Sequence, residues 1–335
     1  MRLRAGVAVD LGTVNTLVCI AGRGLVLEEP SAIALDRETG KVAAVGLAAD
    51  ALAGKEPQDL EVVHPLRDGV IADLDAATAM LQAFVQRARL HRSLLRPSAV
   101  VCVPSGATWV ERRSLAAAVE ALRPRCGVRL IDEPVAAAAG AGFDLAAGSG
   151  AFIVDIGGGT TEAAVLAGGH VARARSLRLG GNAMDEAIVH AVKDELGLLL
   201  GRNAARNLKM VLGLAEVAAG WVEAVGVDAA RRTPRVEHVP GWVVAAALER
   251  PVAAIVDSVQ EMLADIPPDL AEDVVRGKIR LAGGGALLPG LASRIEAATG
   301  IPTLVVDDPL RCVVRGAAEI LEHGDWLTGY VAISG

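Results

Sequence analysis

Asp10 and Asp155 each end a short apolar run and open a turn of glycine and threonine. The first reads GVAVDLGTVNT and the second AFIVDIGGGTT. Such a turn suits an anion: glycine lets backbone N–H groups approach oxygen atoms, and Thr and Asn side chains add donors. The first copy comprises Gly12, Thr13, Val14, Asn15 and Thr16, the second Gly157, Gly158, Gly159, Thr160 and Thr161. Neither aspartate binds phosphate directly, since like charges repel. Each is suited to hold Mg²⁺ through water, because that ion keeps much of its hydration shell. One such turn alone reads as an ordinary tight turn. Two copies in matched contexts read as a polyphosphate grip on a duplicated fold, with a cleft between its halves.

Two other stretches carry chemistry. Glu133 stands where a strand yields to an Ala-rich helix opened by Pro134. A carboxylate there can orient a water for attack on a γ-phosphate; the plainer reading is an acid that complements the helix dipole. The run IRLAGGGALLPG takes a strand into Gly283, Gly284 and Gly285, then Ala286 and Leu287, with a helix near 291–299. Bare backbone suits a nucleobase face or a phosphate at a helix start, although close helix–strand packing also calls for glycine.

The elements that must position these residues alternate between short β-rich runs and helical patterns, which is an α/β signature. Strands are expected at 6–12, 16–22, 31–35, 41–46 and 98–103. A helix over 76–91 carries Met80, Leu81, Phe84, Val85 and Ala88 on one face. Thr108 and Glu111 form a capping box for a helix with Leu115, Val119 and Leu122 inward. Gly181 and Asn182, with Asp185 and Glu186, start another helix by cap and dipole logic. A long helix from about Trp242 to Asp265 stops at Pro267 and Pro268.

Composition removes other classes. Of 335 residues, 52% are apolar and 22% charged, which supports a folded core of two domains or one composite fold. Aromatics at 2% and a net charge of −7 argue against nucleic-acid binding. No apolar run is long enough to span a bilayer, and the N-terminus does not read as a signal peptide. Cys19, Cys102, Cys126 and Cys312 are scattered and read as reduced, buried thiols. No His pairs closely with Cys or His, so a zinc site has no support. A soluble, cytoplasmic protein is expected.

Taken in order, the grip, the E-P-x-A-A-A helix, the second grip and the glycine run resemble the actin, Hsp70 and sugar-kinase superfamily. Within it the chain most resembles the bacterial actin MreB/Mbl family. The carrying phrases include DLGTVNTLV, HPLRDGVIADLD, VCVPSGATWVERR, DEPVAAAAGAG, VDIGGGTTEAAV, LAGGGALLPGL and DDPLRCVVRGAA. The resemblance implies an actin-like (ribonuclease H-like) duplicated fold, with two domains around a nucleotide cleft. The first would be 1–138, with a small subdomain about 29–60 and the 312–335 helix packed back on it. The second would be 139–311, with a small subdomain about 172–238. By the same analogy ATP and Mg²⁺ are the cofactors. Thr13 to Asn15 and Gly158 to Thr160 clasp the phosphates, Gly284 to Leu287 border the adenine, and Glu133 with Thr160 positions the hydrolytic water. The implied activity is weak ATP hydrolysis coupled to polymerisation. The implied partners are further copies of the chain, the inner leaflet of the cell membrane and the cell-wall synthesis machinery.

The chain departs from the family at its ribose-side helix, where acids usually flank the lysine. Lys209 is kept, but Arg206 and Val211 stand at the two acidic positions, and Asn182 replaces a usual Asp. Each lost charge-assisted bond would cost about 1.5–3 kcal/mol. A nucleotide-independent scaffold or a small-molecule kinase therefore remains an alternative; an Hsp70-like module would need a substrate-binding domain beyond residue 335. In the family a hydrophobic pair in the loop after the 76–91 helix dips into lipid. Here that pair is Leu94 and Leu95, flanked by Arg89, Arg92 and Arg96. Burying both leucines would supply about 3–6 kcal/mol per subunit, multiplied by avidity in a filament. Packing under the adjacent helix is the other reading of the pair.

Overall fold

From Gly6 to Val63 the elements are mostly short strands because apolar and turn residues alternate too quickly for a long helix. β1 (Gly6–Leu11), β2 (Asn15–Ile20) and β3 (Gly24–Pro30) form an antiparallel meander. β4 (Ile33–Asp36), β5 (Val42–Val45), α1 (Leu47–Asp50) and β6 (Leu60–Val63) build a small separate sheet. β7 (Leu66–Arg67) and β8 (Val70–Ile71) are joined by Asp68 and Gly69, both at positive φ. Then come α2 (Leu74–Arg87), β9 (Ser98–Val103), α3 (Trp109–Val119), β10 (Val128–Asp132) and α4 (Glu133–Gly140). The computed structural model describes residues 6–87, 98–120, 128–145, 150–214, 220–323 and 332–333.

The second half repeats the plan. β11 (Ala151–Ile156), β12 (Thr161–Ala167) and β13 (His170–Leu177) form another meander. α5 (Gly181–Leu196), β14 (Leu198–Leu199), α6 (Arg202–Leu212), β15 (Trp221–Asp228) and β16 (Pro234–Pro240) contribute a second small sheet. α7 (Gly241–Ala264), α8 (Pro268–Gly277), β17 (Ile279–Ala282), α9 (Leu291–Thr299), β18 (Thr303–Val305), α10 (Cys312–His323) and β19 (Ala332–Ile333) follow. The large sheets run β19-β10-β9-β1-β2-β3 and β13-β12-β11-β17-β18. In each, the strand that carries the Asp pairs antiparallel with its successor and parallel with a later strand.

α4 and α10 lie in a layer shared by the two sheets. One buried cluster joins Ala8 and Leu17 of the first sheet, Ile153 and Leu166 of the second, Ala136–Ala139 of α4 and Val314, Ala317 and Ile320 of α10. Small residues let the helices cross closely: a Cβ on Gly316 would overlap Ala136 O, and one on Gly140 would overlap Cys312 O. The boundary expected between 138 and 139 falls inside α4, so no linker marks it.

The capping box forms as expected, with Glu111 N–H donating to Thr108 Oγ1 at 3.3 Å and Thr108 N–H to Glu111 Oε2 at 2.7 Å. Met80, Leu81 and Phe84 of α2 are fully buried, while Val85 is half-buried. Ala88, Leu122 and Cys126 lie outside the described residues; Cys19, Cys102 and Cys312 are buried free thiols. α7 runs through Pro251 without ending. The start of α5 differs from expectation: its N-cap is Gly180, with no side-chain cap, and Asp185 is buried one turn in as an ion-pair partner. Among the described residues no helix is long and apolar enough to cross a membrane.

Candidate functional site

The period of two along β1 and β11 sets the floor of the site. Val7, Val9 and Leu11 pack toward α2 and α3, and Phe152, Val154 and Ile156 toward α5 and α7. The alternate positions, Ala8 and Asp10 in one strand and Ile153 and Asp155 in the other, face the shared layer. A cleft of about 310 Å³ opens there, and both aspartates line it with Glu133. That volume is within the range of small-molecule sites.

The two glycine turns meet across this cleft. Each is closed by the same bond: Gly12 N–H donates to Asn15 O at 3.0 Å, and Gly157 N–H to Thr160 O at 2.8 Å. A Cβ on Gly158 would overlap a Val14 methyl, and one on Gly159 would lie 2.7 Å from Thr13 Oγ1 and 2.8 Å from Asp68 Cα. Gly69 N–H donates to Thr13 Oγ1 at 2.9 Å, so the β7–β8 turn forms a third wall. Gly283, at φ 78°, has no room for a Cβ beside Asp155 Oδ1 and Ile156 O. The third glycine run thus both packs on the end of β11 and, through Gly283, Gly284, Gly285 and Leu287, lines the cleft.

Burial pushes the Asp10 carboxyl up to about 7. Burial, then the charges of Asp10 and Glu162, push Asp155 up to about 7 as well. Glu133 is raised well above the carboxylate range by burial first and then by Glu162, Asp10, Asp155 and Asp132. Asp155 Oδ1 is buried without a hydrogen-bond partner. A floor of crowded acids beside two glycine turns fits a cation together with a polyanion. Among the described residues no three His, Cys, Asp or Glu side chains converge to hold an ion directly.

Of the residues singled out from sequence, Gly12, Thr13, Val14, Asn15, Gly157, Gly158, Gly159, Thr160, Arg206 and Lys209 also line the cleft. Thr16, Thr161 and Ala286 do not, because their side chains brace it from behind or are buried. Thr16 is fully buried, its Oγ1 2.9 Å from Ser31 Oγ, which in turn donates to Gly12 O at 2.7 Å. Thr161 Oγ1 donates to Leu179 O at 2.8 Å, and Ala286 is core. Val211 is 58% exposed and outside the cleft, so only Arg206 alters the α6 edge. Leu94 and Leu95 lie outside the described residues.

Sequence reasoning missed Asp185. Its carboxylate is buried between Lys209 Nζ at 2.7 Å and Arg206 Nε at 3.6 Å, and Lys209 also donates to Gly181 O at 2.8 Å. Burial lowers the Lys209 ammonium while Asp185 opposes that shift. The available signal was helical spacing: Arg206 and Lys209 share a face of α6, and two cations on a partly buried face call for an acid.

The sequence matches the family described as MreB/Mbl protein over residues 4–328. It is 40% identical over 328 residues to the cell shape-determining protein MreB of Escherichia coli (strain K12), covering 95% of this chain and 93% of that one. It is 36% identical over 323 residues to the cell shape-determining protein Mbl of Bacillus subtilis (strain 168), covering 96% and 97%. Among solved structures, MreB5 of Spiroplasma citri bound to AMPPNP is similar at TM-score 0.89 and 31% identity, over 96% of both chains. A MamK double helical filament shares the fold at TM-score 0.80 and 23% identity, over 95% of this chain and 99% of that one. With its duplicated sheets, shared helical layer and paired glycine turns, the chain belongs to the MreB/Mbl family of bacterial actin-like proteins.

Proposed function

We propose that the cleft binds ATP with Mg²⁺, and that ATP hydrolysis there is coupled to assembly of the chain into filaments. The observation that carries this reading is the meeting of two glycine turns, one from each sheet, over a buried carboxylate floor. The residues fit the group: glycine leaves backbone N–H groups bare where a Cβ has no room, and Asp155 Oδ1 is buried without a partner. Thr13 to Asn15 and Gly158 to Thr160 hold the phosphates, and Gly284 to Leu287 border the base. Asp10 and Asp155 hold the metal through water. When bound, Mg²⁺ neutralises phosphate charge. Glu133, helped by Thr160, orients the attacking water. Relatives support the reading: MreB5 of Spiroplasma citri has been solved with AMPPNP and with ADP.

The filaments lie on the inner face of the cell membrane and organise cell-wall synthesis and cell shape; the names of the cell shape-determining MreB and Mbl relatives support the last of these. Leu94 and Leu95 supply the apolar anchor and the surrounding arginines a preference for anionic lipid. Calorimetry of Mg²⁺–ATP with wild type and Asp10→Ala, joined to electron microscopy with ATP and anionic liposomes, tests the proposal. Wild type should bind and form liposome-bound filaments, and Asp10→Ala should lose Mg²⁺-dependent binding. Filaments indifferent to ATP would instead mark a nucleotide-independent scaffold.

A further inference from the structure

Glu162, in β12, is 1% exposed and takes no part in the cleft wall. Its two carboxylate oxygens accept the Ser105 N–H at 3.0 and 3.1 Å. Ser105 lies in the loop after β9, so this contact joins the first large sheet to the second. The loop is seated hard on the second sheet: a Cβ on Gly106 would lie 3.0 Å from Ser176 Cβ in β13. Glu111, three residues into the capping box of α3, adds an ion pair to Arg178 at 3.2 Å.

The Ser105 peptide is held from its other side as well. The Arg112 guanidinium donates to Ser105 O at 3.4 Å and, through the same nitrogen, to Asp132 Oδ1 at 2.7 Å. Asp132 is the N-cap of α4 and immediately precedes Glu133, yet its side chain makes no cap hydrogen bond. An aspartate at that position ordinarily caps the helix; here it is spent on Arg112. Glu162, Ser105, Arg112 and Asp132 therefore form one continuous chain from the strand of the second turn to the residue next to Glu133.

We infer that Glu162 and Arg112 are positioning residues that convey the spacing of the two sheets to Glu133, placing its carboxylate for the water when the cleft closes. This rests on the ATPase reading above. In the reaction they touch neither nucleotide nor water: Arg112 acts through the geometry of the α4 start, and Glu162 through that geometry as well as through its charge near Glu133.

The test uses the full chain and the variants Glu162→Ala, Glu162→Gln, Arg112→Ala and the double alanine variant. Amide hydrogen exchange is followed by mass spectrometry without nucleotide, and phosphate release in a single turnover. Each single alanine variant should slow release about 10- to 100-fold, as a displacement of about 1 Å does, with Mg²⁺–ATP affinity nearly unchanged. Each should also speed exchange across residues 132–138, whereas Glu162→Gln, which keeps an acceptor for Ser105 N–H but not the charge, should keep wild-type exchange there. The double variant should be no slower than the slower single variant, because one chain is cut only once. Exchange changes confined to residues 104–107, or additive losses in the double variant, would overturn the inference. Arg112 and Asp132 are partly exposed, so Arg112→Ala decides the matter if Glu162→Ala fails to fold. A wild type that hydrolyses no ATP defeats the ATPase reading alone, and the exchange measurement still decides whether the sheets and α4 are coupled.

Discussion

Adding one methyl group to the second turn should force the two turns apart. In Gly158→Ala the new Cβ would overlap a Val14 methyl and lie 3.1 Å from Val14 Cβ. Carbon atoms rest about 3.5–4.0 Å apart, so even the Cβ pair must separate by roughly 0.5 Å, and the methyl by more. Val14 is β-branched and cannot swing aside freely. Overpacking of this kind costs about 1–3 kcal/mol, which corresponds to a loss of nucleotide affinity of about 5- to 150-fold if the closed arrangement is the binding one. Calorimetric titration with Mg²⁺–ATP reads the loss. Val14→Ala alone should bind nearly as wild type, since Val14 is only half-buried, and in the Gly158→Ala background it should restore most of the affinity. Undiminished binding by Gly158→Ala, or no rescue by Val14→Ala, would refute the claim that the turns close against each other.

Nucleotide-free protein should lose stability as pH rises from about 4 to 7. Between the ordinary carboxylate value of 3.8 and about 7 the unfolded chain has released protons that folded Asp10 and Asp155 still hold, so deprotonation favours unfolding; above 7 the cost is constant. Urea titrations should show Asp10→Asn/Asp155→Asn more stable than wild type at pH 8, with the gap shrinking towards pH 5 and narrowed by saturating Mg²⁺; a gap independent of pH contradicts this. Lys209→Met strands the buried Asp185 carboxylate with only the longer Arg206 contact and should cost about 3 kcal/mol in urea unfolding, part of it recovered by adding Asp185→Asn. Leu94→Ser/Leu95→Ser should abolish co-sedimentation of ATP filaments with anionic liposomes while polymerisation by light scattering persists; pelleting equal to wild type removes the loop as the anchor.

Much of the site was legible because the signal was local. An apolar strand, an aspartate and a glycine–threonine turn specify one another within a dozen residues, and strand periodicity turns Asp10 and Asp155 inward once both sheets share a layer. The capping box of α3 was legible for the same reason. What the sequence hid depends on contacts far apart in the chain. Asp185 looked like a helix-start acid until α6 brought Lys209 to it. Thr16 and Thr161 looked like phosphate donors until Ser31 and Leu179 O claimed their hydroxyls. Gly140 and Gly316 carried no meaning until α4 met α10. The Gly283 and Gly285 positions answer two demands at once, packing on β11 and leaving backbone open to the cleft, which the sequence alone left undivided.

Glu133 lines the cleft amid other buried acids, and the proposed hydrolysis assigns it the attacking water, so phosphate release in a single turnover by Glu133→Ala tests the central claim most directly. A group that acts on the water in the transition state contributes about 10²- to 10⁴-fold. The variant should therefore bind Mg²⁺–ATP nearly as wild type and release phosphate at least about 100-fold more slowly. Equal rates in variant and wild type would contradict the account and leave Glu133 as an acid that only begins a helix.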